Sequence, residues 1–349
     1  MKVFACQNCG QLLHFENTSC LNCGVALGFL PAALILSAVT PAPDGTLAAM
    51  AEPGPWKACR NLDPAWCNWL IPAGNGDDYC PACQLNRTIP DLGIVENVEK
   101  WRAIEAAKRR LIYALRRLGL PLANRHEDAG HGLAFDFLAD ADPSHPVMTG
   151  HDDGLITVNI AEADSAERER RRIELGEPYR TLLGHLRHEV GHYYWDVLVR
   201  DGGRIEAARA VFGDESEDYA AALQRHYQQG APLVWQDRFV SAYATTHPWE
   251  DFAETWTHYL HIVDTLDTAE SFGLAVAPTV SDDPANTAKI AFDPYAERSL
   301  ERIVAAWVPL SIAVNSLNRS MGQPDLYPFA LSPPAIEKLR FIHALVHPG

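Results

Sequence analysis

Apolar residues recur at helical spacing through most of the chain after residue 90. Within residues 96–118, Trp101, Ile104 and Leu111 follow this spacing, which predicts one long helix. The same periodicity predicts further helices over residues 178–203, 217–228, 248–266, 295–319 and 333–346. A charged run at residues 163–174 is predicted to be an exposed helix or arm. The larger, C-terminal part of the chain is therefore predicted to be mainly helical.

Shorter apolar runs bounded by turn-forming residues predict strands. The run at residues 25–39 is too short to span a bilayer and is interrupted by Pro31, so strands are predicted there. A turn at Asp44 then precedes another predicted strand. Two more strands are predicted at residues 133–138 and 155–160.

The acidic net charge of the chain bears on the kinds of molecule that it can bind. Its 349 residues carry a formal net charge of −16 at pH 7, which argues against nucleic acid or a membrane as a partner. One basic cluster on the helix at residues 96–118 is predicted to form its solvated face, and its members are Lys108, Arg109, Arg110, Arg116 and Arg117. The N-terminus reaches cysteines before any apolar segment, so no secretory signal is evident and a cytoplasmic location is predicted.

All eight cysteines precede residue 84 and form two groups. The first group consists of two CxxC pairs, Cys6, Cys9, Cys20 and Cys23. Because each pair can present two sulfurs to one ion, a tetrahedral structural zinc is predicted here. Disulfides or free thiols are the alternatives, and disulfides require an oxidising compartment that the N-terminus does not indicate.

The second group contains only one CxxC pair, and its members are Cys59, Cys67, Cys80 and Cys83. A second structural zinc is predicted there, with buried thiols as the alternative. The cysteines stop before residues 87–92, and this change in composition predicts a domain border. We therefore expect an α+β protein in which a small zinc-ribbon-like β domain at residues 1–90 precedes a mainly helical domain at residues 91–349.

The helix predicted at residues 178–203 contains the sequence HEVGH at residues 188–192, which fits the pattern HExxH. On a helix this spacing places two imidazoles one turn apart, where both reach a single zinc ion, and the glutamate between them can take a proton from water. A chance match is the alternative. Gly184 and Gly191 lie near the histidine face, however, and glycines inside a helix indicate that a neighbouring group approaches the helix backbone closely.

Two histidines leave a zinc ion short of a third protein ligand, and the helix predicted at residues 248–266 offers the best candidate. Glu250 and Glu254 lie one turn apart on it, and like charges at that spacing are unfavourable unless a cation or a donor lies between them. We therefore expect Glu250 to bind the metal and Glu254 to accept the outer N–H of a ligand histidine, His188. A solvated acidic face is the alternative, although apolar neighbours predict that this helix is largely buried.

Nearly the whole chain resembles the bacterial zinc-binding metallopeptidases that carry an N-terminal zinc-ribbon domain. The stretches that carry the resemblance are residues 148–164, 176–196, 239–266 and 321–329. An HExxH followed by a helical ExxxE is also similar to the gluzincins, which include thermolysin. The resemblance implies a zincin-like second domain in which the zinc ligands are His188, His192 and Glu250. It further implies that Glu189 is the general base and that Glu254 supports a ligand histidine.

Several gluzincins have a tyrosine seven residues before the ligand glutamate, and Tyr243 occupies that place here. The resemblance implies that its phenol stabilises an oxyanion, with an ordinary core tyrosine as the alternative. Three further histidines, His185, His258 and His261, are predicted to be satisfied helix, core or ligand-supporting residues rather than metal ligands.

The predicted activity is zinc-dependent hydrolysis of peptide bonds in a peptide or protein substrate, with one catalytic zinc and one or two structural zinc ions. The zinc ribbon is a possible binding site for a protein partner. Two alternatives stay open. In one, the chain is a zinc-stabilised interaction module whose HExxH metal is structural; in the other, it is a zinc hydrolase of a non-peptide amide. The sequence does not identify the substrate.

Overall fold

The computed structural model describes residues 2–140, 147–174 and 180–348. They form two compact units, one ending at Arg168 and the other beginning at Glu169. Helix makes up 44% and strand 15% of the structure, and a β-rich N-terminal region precedes a mainly helical one, which confirms the predicted α+β class. The domain border at residues 90/91 stays a prediction, because compactness alone does not show which segments fold independently.

Most strands lie before residue 160 and most helices after it. The strands are β1 (Phe4–Ala5), β2 (Leu12–Leu13), β3 (Ala26–Leu30), β4 (Ile35–Pro41), β5 (Leu47–Ala49), β6 (Pro55–Ala58), β7 (Leu70–Pro72), β8 (Asn86–Thr88), β9 (Ala134–Leu138), β10 (Gly150–Asp152), β11 (Leu155–Asn159), β12 (Ala275–Val276) and β13 (Ala288–Lys289). The α-helices are α1 (Leu62–Ala65), α2 (Val95–Arg117), α3 (Ser165–Glu174), α4 (Leu182–Tyr194), α5 (Ile205–Phe212), α6 (Tyr219–Gln229), α7 (Pro248–Ser271), α8 (Leu300–Ser320) and α9 (Pro333–Val346). A π-helical segment over Trp195–Arg200 continues α4.

The first unit is built on a five-stranded antiparallel sheet in the order β3-β4-β5-β6-β7. Aromatic side chains join this sheet to α2. The ring of Phe29 on β3 lies 4.9 Å from that of Trp69 and 6.1 Å from that of Tyr113 on α2. Phe15 lies 5.3 Å from the same tyrosine ring. Burial of these large rings gives the small sheet an apolar core that its short strands alone do not provide.

A four-stranded sheet in the order β10-β11-β9-β8 lies in the same unit. Its strand β9 runs parallel to both β8 and β11, whereas β10 is antiparallel to β11. The strands predicted at residues 133–138 and 155–160 correspond to β9 and β11.

The prediction that the basic cluster on α2 is solvated is wrong for two of its members. Lys108 is fully buried and Arg109 is 3% exposed. The Nζ atom of Lys108 lies 2.7 Å from Oε1 of Glu105 and 5.4 Å from the ring centre of Phe137 on β9. Because Tyr113 on the same helix contacts the five-stranded sheet, α2 is packed on two sides. A helix packed in this way buries charged residues that a single apolar face would leave in solvent.

The second unit is a set of helices arranged around α7, and α4 and α9 both pack against it. The approach of α4 is closest at Gly191, where a Cβ atom would lie 2.9 Å from Cα of Ala253 and 3.2 Å from its Cβ. This confirms, for Gly191, the predicted close approach of a neighbouring group to the helix backbone, and that group is the backbone of α7. On the side of α9, Tyr259 Oη lies 2.9 Å from Nδ1 of His343.

The predicted and observed helices of the second unit differ mainly at their ends. α8 begins at Leu300 rather than at residue 295, because Ser299 caps it and its Oγ accepts a hydrogen bond from the Arg302 amide at 3.2 Å. Pro178, where the sequence predicts the start of the metal-binding helix, lies outside the described residues. α4 is capped by Thr181, and α5 is a short helix that the periodicity did not predict.

Among the described residues, α8 is the one helix long and apolar enough to cross a membrane by length and composition. A third of its most apolar window is buried, and a single helix of this kind is weak evidence for a membrane span.

Candidate metal centre

α4 presents His188 and His192 from successive turns. Thr181 starts the helix, since its Oγ1 accepts a hydrogen bond from the Gly184 amide at 3.0 Å. Four residues of helix then bring the two histidines to the same face. Their Nε2 atoms lie 3.2 Å apart, and His188 is buried.

α7 brings a carboxylate to the same point. His247 caps this helix, because its Nδ1 accepts a hydrogen bond from the Trp249 amide at 3.1 Å, and a proline follows in the first turn. Glu250 therefore lies at the N-terminal end of α7. Its Oε2 atom lies 2.9 Å from Nε2 of His188 and 3.6 Å from Nε2 of His192.

These three donor atoms suit a zinc ion. Bonds of about 2.0–2.1 Å to a tetrahedral ion place neighbouring ligand atoms about 3.3 Å apart. The separations of 2.9, 3.2 and 3.6 Å bracket that value. In addition, Oε2 of Glu250 is buried and accepts no hydrogen bond from the residues that the structure describes. A buried carboxylate oxygen without a donor fits a metal ligand.

The surroundings of these residues favour a positive charge between them. Burial alone lowers the pKa of His188, but the neighbouring carboxylates of Glu250 and Glu254 raise it well above its usual range. Burial alone raises the pKa of Glu250, whereas His192 and His188 hold it well below its usual range. A divalent cation supplies the positive charge that this arrangement favours.

Glu254 determines which nitrogen of His188 faces the other donors. Its Oε1 atom lies 2.7 Å from Nδ1 of His188, so this nitrogen carries a proton, and a metal ion at Nε2 would take the place of the second proton of the ring. Burial alone raises the pKa of Glu254, but the hydrogen bond with His188 lowers it, so the carboxylate stays ionised. The structure thus brings Glu254 and His188 together as the sequence predicts.

Glu189, the glutamate between the two histidines, is buried with only 5% of its surface exposed. Its Oε1 atom lies 3.2 Å from Nε2 of His185, one turn earlier on α4. Burial alone raises the pKa of Glu189, whereas His185 and then the other two histidines lower it, so the carboxylate is ionised and able to accept a proton. The sequence predicts an ordinary helix histidine at residue 185, and the structure places it against the candidate general base.

Two tyrosines border the centre. The ring centre of Tyr243 lies 5.9 Å from that of His188, and burial raises the pKa of its hydroxyl, which stays a proton donor. The sequence analysis missed Tyr219, whose hydroxyl donates a hydrogen bond to Oε1 of Glu250 at 2.7 Å. It lies 31 residues before Glu250 in a predicted helix without a motif, so no sequence signal marks it.

The two later histidines of α7 contact core residues. Nδ1 of His258 lies 2.6 Å from the hydroxyl oxygen of Tyr327, and Nδ1 of His261 lies 2.6 Å from Nη1 of Arg187. Arg187 also donates to Oδ2 of Asp264 at 2.6 Å. The two contacts of Arg187 join α4 to α7 at the residue that directly precedes His188.

The first cysteine group forms one cluster in the first unit, and its four sulfur atoms lie within 4.8 Å of one another. The Sγ atoms of Cys6 and Cys23 are 3.7 Å apart, and those of Cys9 and Cys20 are 3.6 Å apart. Zinc–sulfur bonds of about 2.3 Å separate tetrahedral thiolates by about 3.8 Å, whereas disulfide sulfurs are about 2.05 Å apart. This geometry fits zinc and not a disulfide.

The second cysteine group is equally compact, and all four members are buried. The Sγ atom of Cys67 lies 3.7 Å from that of Cys80 and 3.8 Å from that of Cys83, and Cys59 Sγ accepts a hydrogen bond from the Cys80 amide at 3.4 Å. Four thiolates around one zinc ion carry a net negative charge. The buried guanidinium of Arg109 offsets it: burial alone lowers its pKa, but the nearby thiols and Glu105 raise it.

Comparison with known proteins points to zinc binding in both parts of the chain. Residues 97–345 match the family described as "Putative zinc-binding metallo-peptidase", and residues 3–94 match a zinc-ribbon domain. Uncharacterized proteins of Mycobacterium bovis and Mycobacterium tuberculosis are 44% identical to this chain over 347 residues, which is 99% of this chain and 95% of theirs. No solved structure matches the chain significantly. Since the first match covers well over half of the residues, the chain belongs to this family of zinc-binding metallopeptidases and carries an N-terminal zinc ribbon.

Proposed function

We propose that the chain is a zinc-dependent peptidase whose general base is Glu189. One observation carries this proposal: a buried, ionised carboxylate lies on α4 between His188 and His192, which converge with Glu250. A purely structural zinc site has no use for such a carboxylate. In a hydrolase, it is the group that takes the proton from the attacking water.

A zinc ion held by His188, His192 and Glu250 supplies a Lewis acid for water and for the substrate carbonyl. Glu189 accepts the proton of the attacking water and passes it to the leaving amine. Glu254 keeps the ring of His188 in place by accepting a hydrogen bond from Nδ1–H. Tyr243, whose ring centre lies 5.9 Å from that of His188, has the role of donating a hydrogen bond from its hydroxyl to a developing oxyanion.

The two cysteine clusters are proposed to be closed, structural zinc sites, which gives three zinc sites within the described residues. Each set of four thiolates fills the coordination of its ion and keeps no open position for a substrate. Their role is to stabilise the small five-stranded sheet. The zinc ribbon is then free to bind a protein partner, and the peptidase substrate is a peptide or protein in the cytoplasm.

The proposal is tested by the substitution Glu189→Gln, which keeps the shape of the side chain and removes its basicity. Zinc content and fold are expected to stay unchanged, whereas the rate of hydrolysis of a fluorescently labelled, denatured protein mixture falls by about 10²–10⁴-fold. The matched control is Glu206→Gln, an exposed glutamate on α5, which is expected to leave the rate unchanged. Hydrolysis that survives in Glu189→Gln at the wild-type rate contradicts the proposed mechanism. A zinc-loaded wild type without activity contradicts the assignment as a peptidase.

A further inference from the structure

The two oxygen atoms of Glu250 have different surroundings. Oε2 faces the two histidine nitrogens, at 2.9 Å from His188 and 3.6 Å from His192. Oε1 instead accepts a hydrogen bond from the hydroxyl of Tyr219 at 2.7 Å. A short hydrogen bond to an ionised carboxylate is among the stronger kinds in proteins. The carboxylate is thus held by one oxygen while the other is directed at the metal centre.

The ring of Tyr219 is itself fixed by its neighbours. It stands at the first position of α6, which Asp218 caps by accepting a hydrogen bond from the Ala221 amide at 2.8 Å. Its ring packs edge-on against His247 at 5.3 Å between centres and tilted against Trp249 at 6.0 Å. Both of these residues belong to the N-terminal turn region of α7 that carries Glu250. The start of α6 is therefore packed against the start of α7, and this packing fixes the Tyr219 hydroxyl beside the carboxylate of Glu250.

A carboxylate can bind a metal through one oxygen or through both. Binding through both fills a coordination position that a catalytic zinc needs to keep open for water or substrate. The hydroxyl of a tyrosine is protonated at neutral pH and is a permanent donor there, whereas a water molecule at this point exchanges. A donor that occupies Oε1 competes with the metal for that oxygen.

We infer that Tyr219 is a positioning residue that holds Glu250 as a one-oxygen ligand and so keeps the metal centre open. This inference rests on the metal centre proposed above, but it does not depend on the substrate or on peptidase activity. It assigns to α6 the role of support for the ligand glutamate, as Glu254 supports the ligand histidine. The hydroxyl acts through Glu250 and does not need to touch the substrate.

The test is the substitution Tyr219→Phe, which removes the hydroxyl and keeps the ring. The matched control is Tyr227→Phe on the same helix, whose side chain is 63% exposed. Purified protein is treated with dipicolinate to remove the exchangeable metal, and Co²⁺ is then added. A thiolate-to-cobalt absorption band must stay absent, which shows that the cysteine sites keep their zinc. The dissociation constant for Zn²⁺ is measured by competition with a chromophoric chelator, and the visible spectrum of the cobalt form is recorded.

We expect Tyr219→Phe to weaken zinc binding by about 10–100-fold. We also expect its cobalt spectrum to weaken, because a carboxylate that binds through both oxygens raises the coordination number, and four-coordinate cobalt absorbs more strongly than five-coordinate cobalt. Tyr227→Phe should match the wild type in both measurements. Equal affinity and an equal spectrum in Tyr219→Phe overturn the inference. So does a Tyr219→Phe variant that fails to fold, since the hydroxyl would then support the fold. A wild type that binds no exchangeable metal overturns the proposed metal centre itself.

Discussion

Glu254 and His188 form the hydrogen bond that fixes the metal centre's first histidine: Oε1 of the glutamate lies 2.7 Å from Nδ1 of the imidazole. Because the bond joins α7 to α4, it couples the position of the ring to the packing of two helices. The partner of the outer nitrogen of a metal-binding histidine typically changes metal affinity by 10–100-fold when it is removed. The substitution Glu254→Ala is therefore expected to weaken zinc binding by about that factor, measured by competition with a chelator.

A matched variant separates loss of the hydrogen bond from loss of charge. Glu254→Gln keeps an oxygen that can accept the Nδ1 proton but removes the negative charge, so its affinity for zinc is expected to fall between those of Glu254→Ala and the wild type. The two cysteine sites should keep their zinc in both variants. Equal affinities in the wild type and Glu254→Ala would show that packing alone orients His188.

Gly191 faces the backbone of α7, and the second prediction concerns this contact. A Cβ at residue 191 would lie 2.9 Å from Cα of Ala253, and backbone cannot move aside as a flexible side chain can. Gly191→Ala is therefore expected to lower the free energy of unfolding by about 1–3 kcal/mol, although alanine is the better helix former. Chemical denaturation measures the change, and zinc affinity should fall with it because the helices that carry His192 and Glu250 are pushed apart.

The same substitution at an open position is the control. Nothing lies within 4 Å of a Cβ built on Gly150, so Gly150→Ala is expected to change stability by no more than about 0.5 kcal/mol. A Gly191→Ala variant as stable as the wild type would mean that α4 and α7 adjust to the methyl group without strain.

Much of the metal centre could be predicted from the sequence because its geometry is local. Two histidines four residues apart on a helix must share a face, and so must Glu250 and Glu254 on α7. Glycine at residue 191 also indicated that a neighbouring group lies close to the backbone of α4, since glycine inside a helix is otherwise costly. The step from two helices to one centre then required two arguments: two histidines leave a zinc ion short of a third protein ligand, and two carboxylates one turn apart favour a cation or a donor between them.

The remaining features depend on tertiary contacts that no local pattern records. Tyr219 meets Glu250 across 31 residues, and a tyrosine at the start of a helix is common. The spacing of His185 from His188 predicts an ordinary helix histidine. In the structure, its Nε2 atom lies 3.2 Å from Oε1 of Glu189. Lys108 is predicted to be solvated because it lies among charged residues on a helix. It is buried in the structure because α2 is packed on two sides, and Glu105 on the same helix neutralises its charge.

The third prediction tests this buried ion pair on α2. Both side chains are inaccessible, and Nζ of Lys108 lies 2.7 Å from Oε1 of Glu105. Removal of one partner of a buried pair leaves an uncompensated charge and typically costs about 3–5 kcal/mol. Lys108→Met is therefore expected to lower the free energy of unfolding of the zinc-loaded protein by about that amount, as measured by chemical denaturation.

A basic neighbour on the same helix is the control for this prediction. Arg110 pairs with Glu16 at 2.5 Å, but its side chain is 44% exposed, so Arg110→Met is expected to cost at most about 1 kcal/mol. If Lys108→Met is no less stable than Arg110→Met, then water or Arg109 compensates Glu105 and the buried pair contributes little.

The fourth prediction is a pH dependence that originates at His258. Burial lowers the pKa of this histidine to about 4 in the folded protein, where its Nδ1 contacts the hydroxyl of Tyr327, compared with about 6.5 in the unfolded chain. The fold thus favours the neutral ring. The stability that depends on the neutral ring is fully present above pH 6.5 and is lost as the pH falls towards 4, by a total of about 3 kcal/mol.

His258→Asn keeps a polar group near Nδ1 but cannot titrate. We expect the difference in unfolding free energy between wild type and variant to be constant above pH 7 and to shift in favour of the variant between pH 6.5 and 4. Other groups that titrate in this range cancel in the difference, and a difference independent of pH would show that His258 becomes protonated as readily in the folded protein as in the unfolded chain.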